Sequence, residues 1–222
     1  MRSDLFNERN QETQTTERWA LQSPRMLRTV LGDDMIATKG AMVAFQGDIT
    51  FNHEGAGSVG KMMKKLLTSE DAPMMRVSGQ GEVFFSRQAN NIFLMLLEGD
   101  SISVASKNLL AMDASIDWDI KRVQGAGMAS GGLFNLLLQG HGTAAICCEG
   151  EPLILDCSVQ PTFVDAQAVV CWSGNLVPQV HNSMNVRSML RGGSGEAFQL
   201  AFHGPGFVVV QPSEGVPVPT RS

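Results

Sequence analysis

The residues of this chain that could do chemistry are one glycine-flanked serine, one glycine-lysine run, four histidines and four cysteines. Their spacing decides what they can do. Ser194 sits in "GGSGE", where a nucleophile elbow would need Gly-x-Ser-x-Gly, and the last position is Glu196. The elbow also needs a strand-to-helix turn in an α/β sheet, which the pattern of this chain does not offer, so hydrolysis at Ser194 is rejected. The run "GAGSVGK" from Gly55 approaches a phosphate-binding loop, but Met62 follows Lys61 where a magnesium-binding hydroxyl is required. His53, His141, His181 and His203 invite a metal, but the first glycine pair carries Ser78 and Gln80 where the others carry His203 and His141, which breaks any three-histidine set, and the spacing is uninformative. Cys147, Cys148, Cys157 and Cys171 lack Cys-x-x-Cys spacing and read as buried, reduced thiols. Cys147 and Cys148 are adjacent, so on a strand they point to opposite faces and cannot share one metal. Asp117 and Asp119 flank Trp118 and read as a polar strand edge. No cofactor or metal is expected, and no catalytic constellation is found.

The elements that would position these groups are marked by a repeat. Three segments share an apolar strand, a Gly-x-Gly and a second apolar strand. They are "MMRVSGQGEVFFS" from Met74, "FNLLLQGHGTAAICC" from Phe134 and "FQLAFHGPGFVVVQ" from Phe198. The paired glycines are Gly79/Gly81, Gly140/Gly142 and Gly204/Gly206, about 61 and 64 residues apart. Two glycines one residue apart permit positive φ and close backbone approach, so they are assigned as structural turns that bend the chain sharply between two strands. The runs after them (Val83–Phe85, Ala144–Ile146, Phe207–Val210) are continuous rather than alternating, which suits strands buried on both faces.

A second marker, Gly32-Asp33, Gly99-Asp100 and Gly150-Glu151, reads as an exposed turn before a strand in each unit. Further apolar strands follow in "AMVAFQGDITF", "ASIDWDIKRV" and "AQAVVCWSG". Trp118 and Trp172 sit at comparable places in the second and third copies, with Phe45 or Phe51 as the counterpart in the first. The expectation is a mainly β fold of three tandem sandwich- or barrel-like repeats around a pseudo-threefold axis. Residues 1–24 form a polar N-terminal extension, 25–215 a single domain with repeats at about 31–97, 98–148 and 149–211, and 216–222 a flexible tail.

One stretch has helical character. In "SVGKMMKKLLTS" from Ser58, Val59, Met62, Met63, Leu66 and Leu67 make one apolar stripe, predicting a short amphipathic helix near 58–69. Ser58 can cap it and Pro73 lies beyond its end. The plain reading is a helix closing one end of the core. The sharper one is an interaction helix, Lys61, Met62, Met63, Lys64, Lys65 and Leu66, that docks on a membrane surface or a partner groove.

Composition narrows the function classes. Charged residues are 18% of the 222, below the usual ~25%, so much surface is expected to be covered by repeat packing or by other subunits. Lysine and arginine total 17 against 22 acidic residues, for a net charge of −5, which argues against general nucleic-acid binding. Tyrosine is absent, so recognition through its hydroxyl is excluded. The N-terminus has no apolar core and mixes acids with bases, unlike a secretory or transit signal, so a cytoplasmic location is expected.

The segments "KGAMVAFQGDITF", "GEVFFS", "IDWDIKRVQGAGMASGGLFN" and "GSGEAFQLAFHGPGFVVVQPSEG" together resemble the altered inheritance of mitochondria protein 24 family in its bacterial, actinobacterial-type form. The likeness runs from about Arg25 to about Gly215. It implies a fold similar to the tryptophan RNA-binding attenuation protein, with three β units about a pseudo-threefold axis. Yeast mitochondrial members are associated with inner-membrane architecture; the resemblance carries over no catalytic residue.

Two functional readings follow. The first is a non-enzymatic, self-assembling β scaffold, a homo-oligomer whose surface binds a protein partner or a membrane face, since unprotected strand edges pair with other chains. The second is a small-molecule binding module holding an apolar or aromatic ligand near the candidate pocket aromatics Trp118 and Trp172.

Overall fold

The computed structural model describes residues 1–53, 74–123, 134–181 and 199–213. Among them the chain is mainly β, in antiparallel sheets, with only single turns of 3-10 helix at Asp4–Phe6, Glu8–Asn10 and Ser106–Asn108. The segment 58–69, and with it Lys61, Met62, Met63, Lys64, Lys65 and Leu66, lies outside the described residues, as do Ser194 and the Gly55 run.

The strands are β1 (Trp19–Ser23), β2 (Met26–Leu31), β3 (Met35–Thr38), β4 (Met42–His53), β5 (Met74–Phe85), β6 (Asn91–Ala105), β7 (Leu109–Asp113) and β8 (Asp117–Arg122). They continue with β9 (Phe134–Cys148), β10 (Leu153–Asp156), β11 (Thr162–Asp165), β12 (Val169–Ser173), β13 (Gln179–His181), β14 (Gln199–Phe202) and β15 (Phe207–Val210). Twelve belong to one sheet, and β11-β14-β13 form a second. The larger sheet is an open path from β1 to β10, so the barrel-like alternative gives way to open sheets.

Two long strands organise the chain. One edge of β5 pairs with β2 and then β3, while β4 runs along its whole other edge. One edge of β9 pairs with β7 and then β8, while β6 runs along the other. Near the C-terminus β15 is flanked by β10 and β12, and β14 by β11 and β13.

The glycine pairs do not turn the chain as expected. Gly79/Gly81 and Gly140/Gly142 lie inside the unbroken strands β5 and β9, and only Gly204/Gly206 separates two strands, β14 and β15. All six have positive φ, between 115° and 147°. A strand can absorb such residues as a local bend without losing its ladder, because glycine alone enters this region without a Cβ clash.

The runs after the glycines are buried as their composition predicts: Val83, Phe85, Ala144, Ala145 and Val208 are fully inaccessible. The second marker divides. Gly32-Asp33 joins β2 to β3 and Gly99-Asp100 interrupts the register of β6, but Gly150-Glu151 precedes β10 and so occupies a different place. Nor does the N-terminal extension stay outside the fold. Its residues 19–23 form β1, which covers the edge of β2.

Three apolar clusters make the core: one between β7, β9 and the second half of β6, one under β2, β3 and β5, and one beneath β12, β14 and β15. Cys148 enters the first and Cys147 the second, so the adjacent thiols do point to opposite faces of β9.

Candidate functional site

The pairing registers place each aromatic relative to a glycine pair. Trp172 on β12 stands opposite Val208, two residues after Gly206, and Phe45 on β4 stands opposite Val83, two residues after Gly81. Trp118 on β8 stands opposite Leu138, two residues before Gly140, and Phe51 on β4 opposite Val77, two before Gly79. The tryptophans therefore occupy different strand positions. Trp172 shares its offset from a glycine pair with Phe45, and Trp118 with Phe51, so the two tryptophans do not stand at matching places.

Trp172 is 3% exposed, packs edge-on against Phe202 at 5.6 Å and donates its indole N–H to the Leu176 carbonyl at 3.2 Å. One side of it borders a cavity of about 230 Å³ lined also by Ser103, Leu137, Leu176, Lys121, Arg122 and Asn135. Trp118 does not line this cavity; it packs half-buried against the β9 cluster. The expected aromatic pair is thus one tryptophan beside two cations. Lys121 is already paired with Asp119 at 2.8 Å, which neutralises part of that charge.

The chemistry available elsewhere is limited. All four cysteines are free and buried. Burial pushes the thiols of Cys147 and Cys171 up to about 12 and that of Cys148 to about 11, so none of these three is a nucleophile near neutral pH. Among the described residues, no three histidines, cysteines or acids stand close enough to hold a metal ion. No described helix is long and apolar enough to cross a membrane.

Sequence reading missed the groups that tie the sheet together. Asp113, at the end of β7, accepts the Trp19 indole N–H at 3.2 Å and the Thr143 backbone N–H at 2.8 Å, and pairs with Arg18 at 3.1 Å. It fastens the N-terminal strand to the β7–β9 ladder. Arg28 on β2, 6% exposed, holds both carboxylate oxygens of Glu82 on β5. No spacing rule marks pairs 54 or 95 residues apart in sequence.

The surface shows where apolar groups remain uncovered. Val43 and Phe45 on β4, Leu96 on β6, Leu153 and Ile154 on β10, and Phe163 on β11 are exposed by 45–67%. Phe45 rests edge-on against Phe51 at 5.4 Å and Phe163 against His181 at 5.1 Å. In a chain this short of charge, aromatics on strands that pair along one side only among the described residues are the surface feature with the clearest physical consequence.

Comparison with known proteins agrees with this architecture. The family model described as Mitochondrial biogenesis AIM24 matches residues 21–213. Among solved structures the chain is similar to protein SPYM3_0169 from Streptococcus pyogenes, with 20% identity, a TM-score of 0.71, and coverage of 88% of this chain and 92% of that one. At that identity the likeness shows the fold alone. No curated protein matches the chain.

Proposed function

The chain belongs to the Mitochondrial biogenesis AIM24 family, and from this premise we propose that it works as a non-enzymatic, self-assembling β scaffold. The observation that carries the reading is the set of exposed apolar residues on the strands β4, β6, β10 and β11. Exposed edges of this kind bind other β strands or apolar partners rather than transform small molecules.

The scaffold is proposed to be three copies of one unit. Each copy centres on a glycine-marked strand, continuous in the first two and divided at Gly204/Gly206 in the third, whose first half is flanked by two strands and whose second half is flanked by two more. In the first copy these are β2, β3 and the two halves of β4 around β5; in the second, the halves of β6 with β7 and β8 around β9. In the third, β10 to β13 surround β14 and β15. A bulge at Val43, Leu110 and Val170 recurs at the same point of each copy, where the register skips one residue. These matches favour units spanning about 26–85, 91–148 and 153–210, rather than starts at 31 and 98.

The test is light scattering coupled to size exclusion, with and without anionic lipid vesicles. A defined oligomer, or a vesicle-bound fraction, is expected. A strict monomer at high concentration that ignores lipid would overturn the scaffold.

The cavity beside Trp172 supports a second reading, a module for a small anionic or aromatic ligand held near Lys121 and Arg122. Quenching of tryptophan emission across a metabolite panel, lost on Lys121→Ala, would favour it. A flat response would remove it.

A further inference from the structure

The junctions inside the chain follow one rule, and the rule leaves two strands over. Where the first unit meets the second, β3 pairs antiparallel with β7: Met35 with Asp113, Ile36 with Met112, Ala37 with Ala111. Where the second meets the third, the second half of β6 pairs with β12: Ile102 with Ser173, Ser103 with Trp172, Val104 with Cys171. Counted from the glycine pairs, these are the same positions. Met35 and Ile102 face the residue two before the first glycine, and Met112 and Trp172 face the residue two after the second.

By the same count, the strands without such a partner are β11 of the third unit and the first half of β4. Among the described residues β11 pairs only with β14, and β4 only with β5. Burial records the difference. At the filled junctions Leu110, Met112, Val170 and Trp172 are exposed by 3% or less, whereas the matching Val43 and Phe45 are exposed by 51% and 45%. On the other side Ile36 and Ser103 are exposed by 4% or less, whereas the matching Phe163 is exposed by 51%. The two edges are the separated halves of a third junction.

We infer that a second copy of this chain fills it, with β11 of one molecule pairing antiparallel to β4 of the next. The register is set by the two internal junctions: Thr162 opposite Gln46, Phe163 opposite Phe45, and Val164 opposite Ala44. This deepens the self-assembly reading above and rests on it. Because the two edges differ, the contact is head to tail, so copies join into a closed ring or an open row rather than a face-to-face dimer. The occupant is argued by continuity, since each edge matches in register and apolar character a strand that this same chain already pairs.

The experiment uses the full chain. Phe45→Cys and Phe163→Cys are made in separate molecules, mixed and oxidised, and covalent species are counted on a non-reducing gel. The four native thiols are buried, so only the introduced pair reacts. Directly opposed strand residues bring their β-carbons within disulfide range. The mixture is expected to give covalent dimers, and neither variant alone. Phe45→Asp is expected to weaken association about 10- to 100-fold with an unchanged melting temperature. Dimers from Phe45→Cys alone would mean a face-to-face contact and would overturn the head-to-tail assignment. So would a chain carrying both cysteines that closes on itself at all dilutions. An oligomer indifferent to Phe45→Asp would sink the edge while leaving the scaffold standing. A strict monomer would remove both.

Discussion

A β-carbon built on Gly81 would overlap the carbonyl oxygen of Gln46 on the neighbouring strand, so β4 and β5 approach as closely as they do only because position 81 has no side chain. At Gly142 the same atom would meet the Asp113 and Ile116 side chains at 3.1 Å, which can yield a little. Backbone strain is common to both, with φ of 144° and 147°. Gly81→Ala is therefore expected to destabilise by about 3 kcal/mol or more, and Gly142→Ala by about 1–2 kcal/mol. Chemical denaturation of the two variants checks the order; equal losses would show that strain alone decides.

The Arg28 guanidinium is buried and relies on Glu82 for its charge. Glu82→Ala leaves that charge uncompensated and should cost about 2–4 kcal/mol, at the lower end because the Glu82 carboxylate is 28% exposed. Arg28→Met in the same molecule should recover most of the loss. A double variant as unstable as Glu82→Ala would rule out the buried charge as the cause.

Stability should fall on the alkaline side. The thiols of Cys147 and Cys171 sit near 12 in the folded chain against 9.0 for the free group, so the folded state holds protons that the unfolded state has released between those values. Their contribution is complete below about pH 9 and is lost as pH rises toward 12, by up to about 1.4 kcal/mol per pH unit for each thiol. No tyrosine titrates in that range to mask the effect. Denaturant midpoints between pH 8 and 11 should drop, and Cys171→Ala should shallow the slope. An unchanged slope in that variant would contradict it.

Asp113 gathers Arg18, Trp19 and the Thr143 amide. Asp113→Ala should release β1 from the β7–β9 ladder, red-shifting Trp19 emission and costing about 1–3 kcal/mol through the unpaired groups left behind. Emission identical to the parent would argue that β1 is held by its pairing with β2 alone.

The glycine pairs were legible because few other residues adopt their backbone, and the unbroken apolar runs beside them made the buried strands legible. What the pairs do was not legible. A bend inside a continuous strand and a turn between two strands ask the same of a glycine, and only the partner strand distinguishes them. The same limit kept from view that Trp118 and Trp172 stand at different offsets from their glycine pairs. The Phe45 edge escaped notice for another reason. "AMVAFQGDITF" is as apolar as its buried counterparts, and its exposure comes from being first in the row, a fact about neighbours rather than composition.

The glycine-bent strands also set how the molecule can open. β5 and β9 run unbroken from one set of neighbours to the other, so neither half can leave its ladder without pulling on the second. Strands β14 and β15 lack that tether, since residues 203–206 divide them and the small β11-β14-β13 sheet has its own hydrogen-bond network. Amide protons of Leu200 and Phe202 should accordingly exchange through a local opening, well before those of Val77 and Leu138, which are released only when the whole chain unfolds.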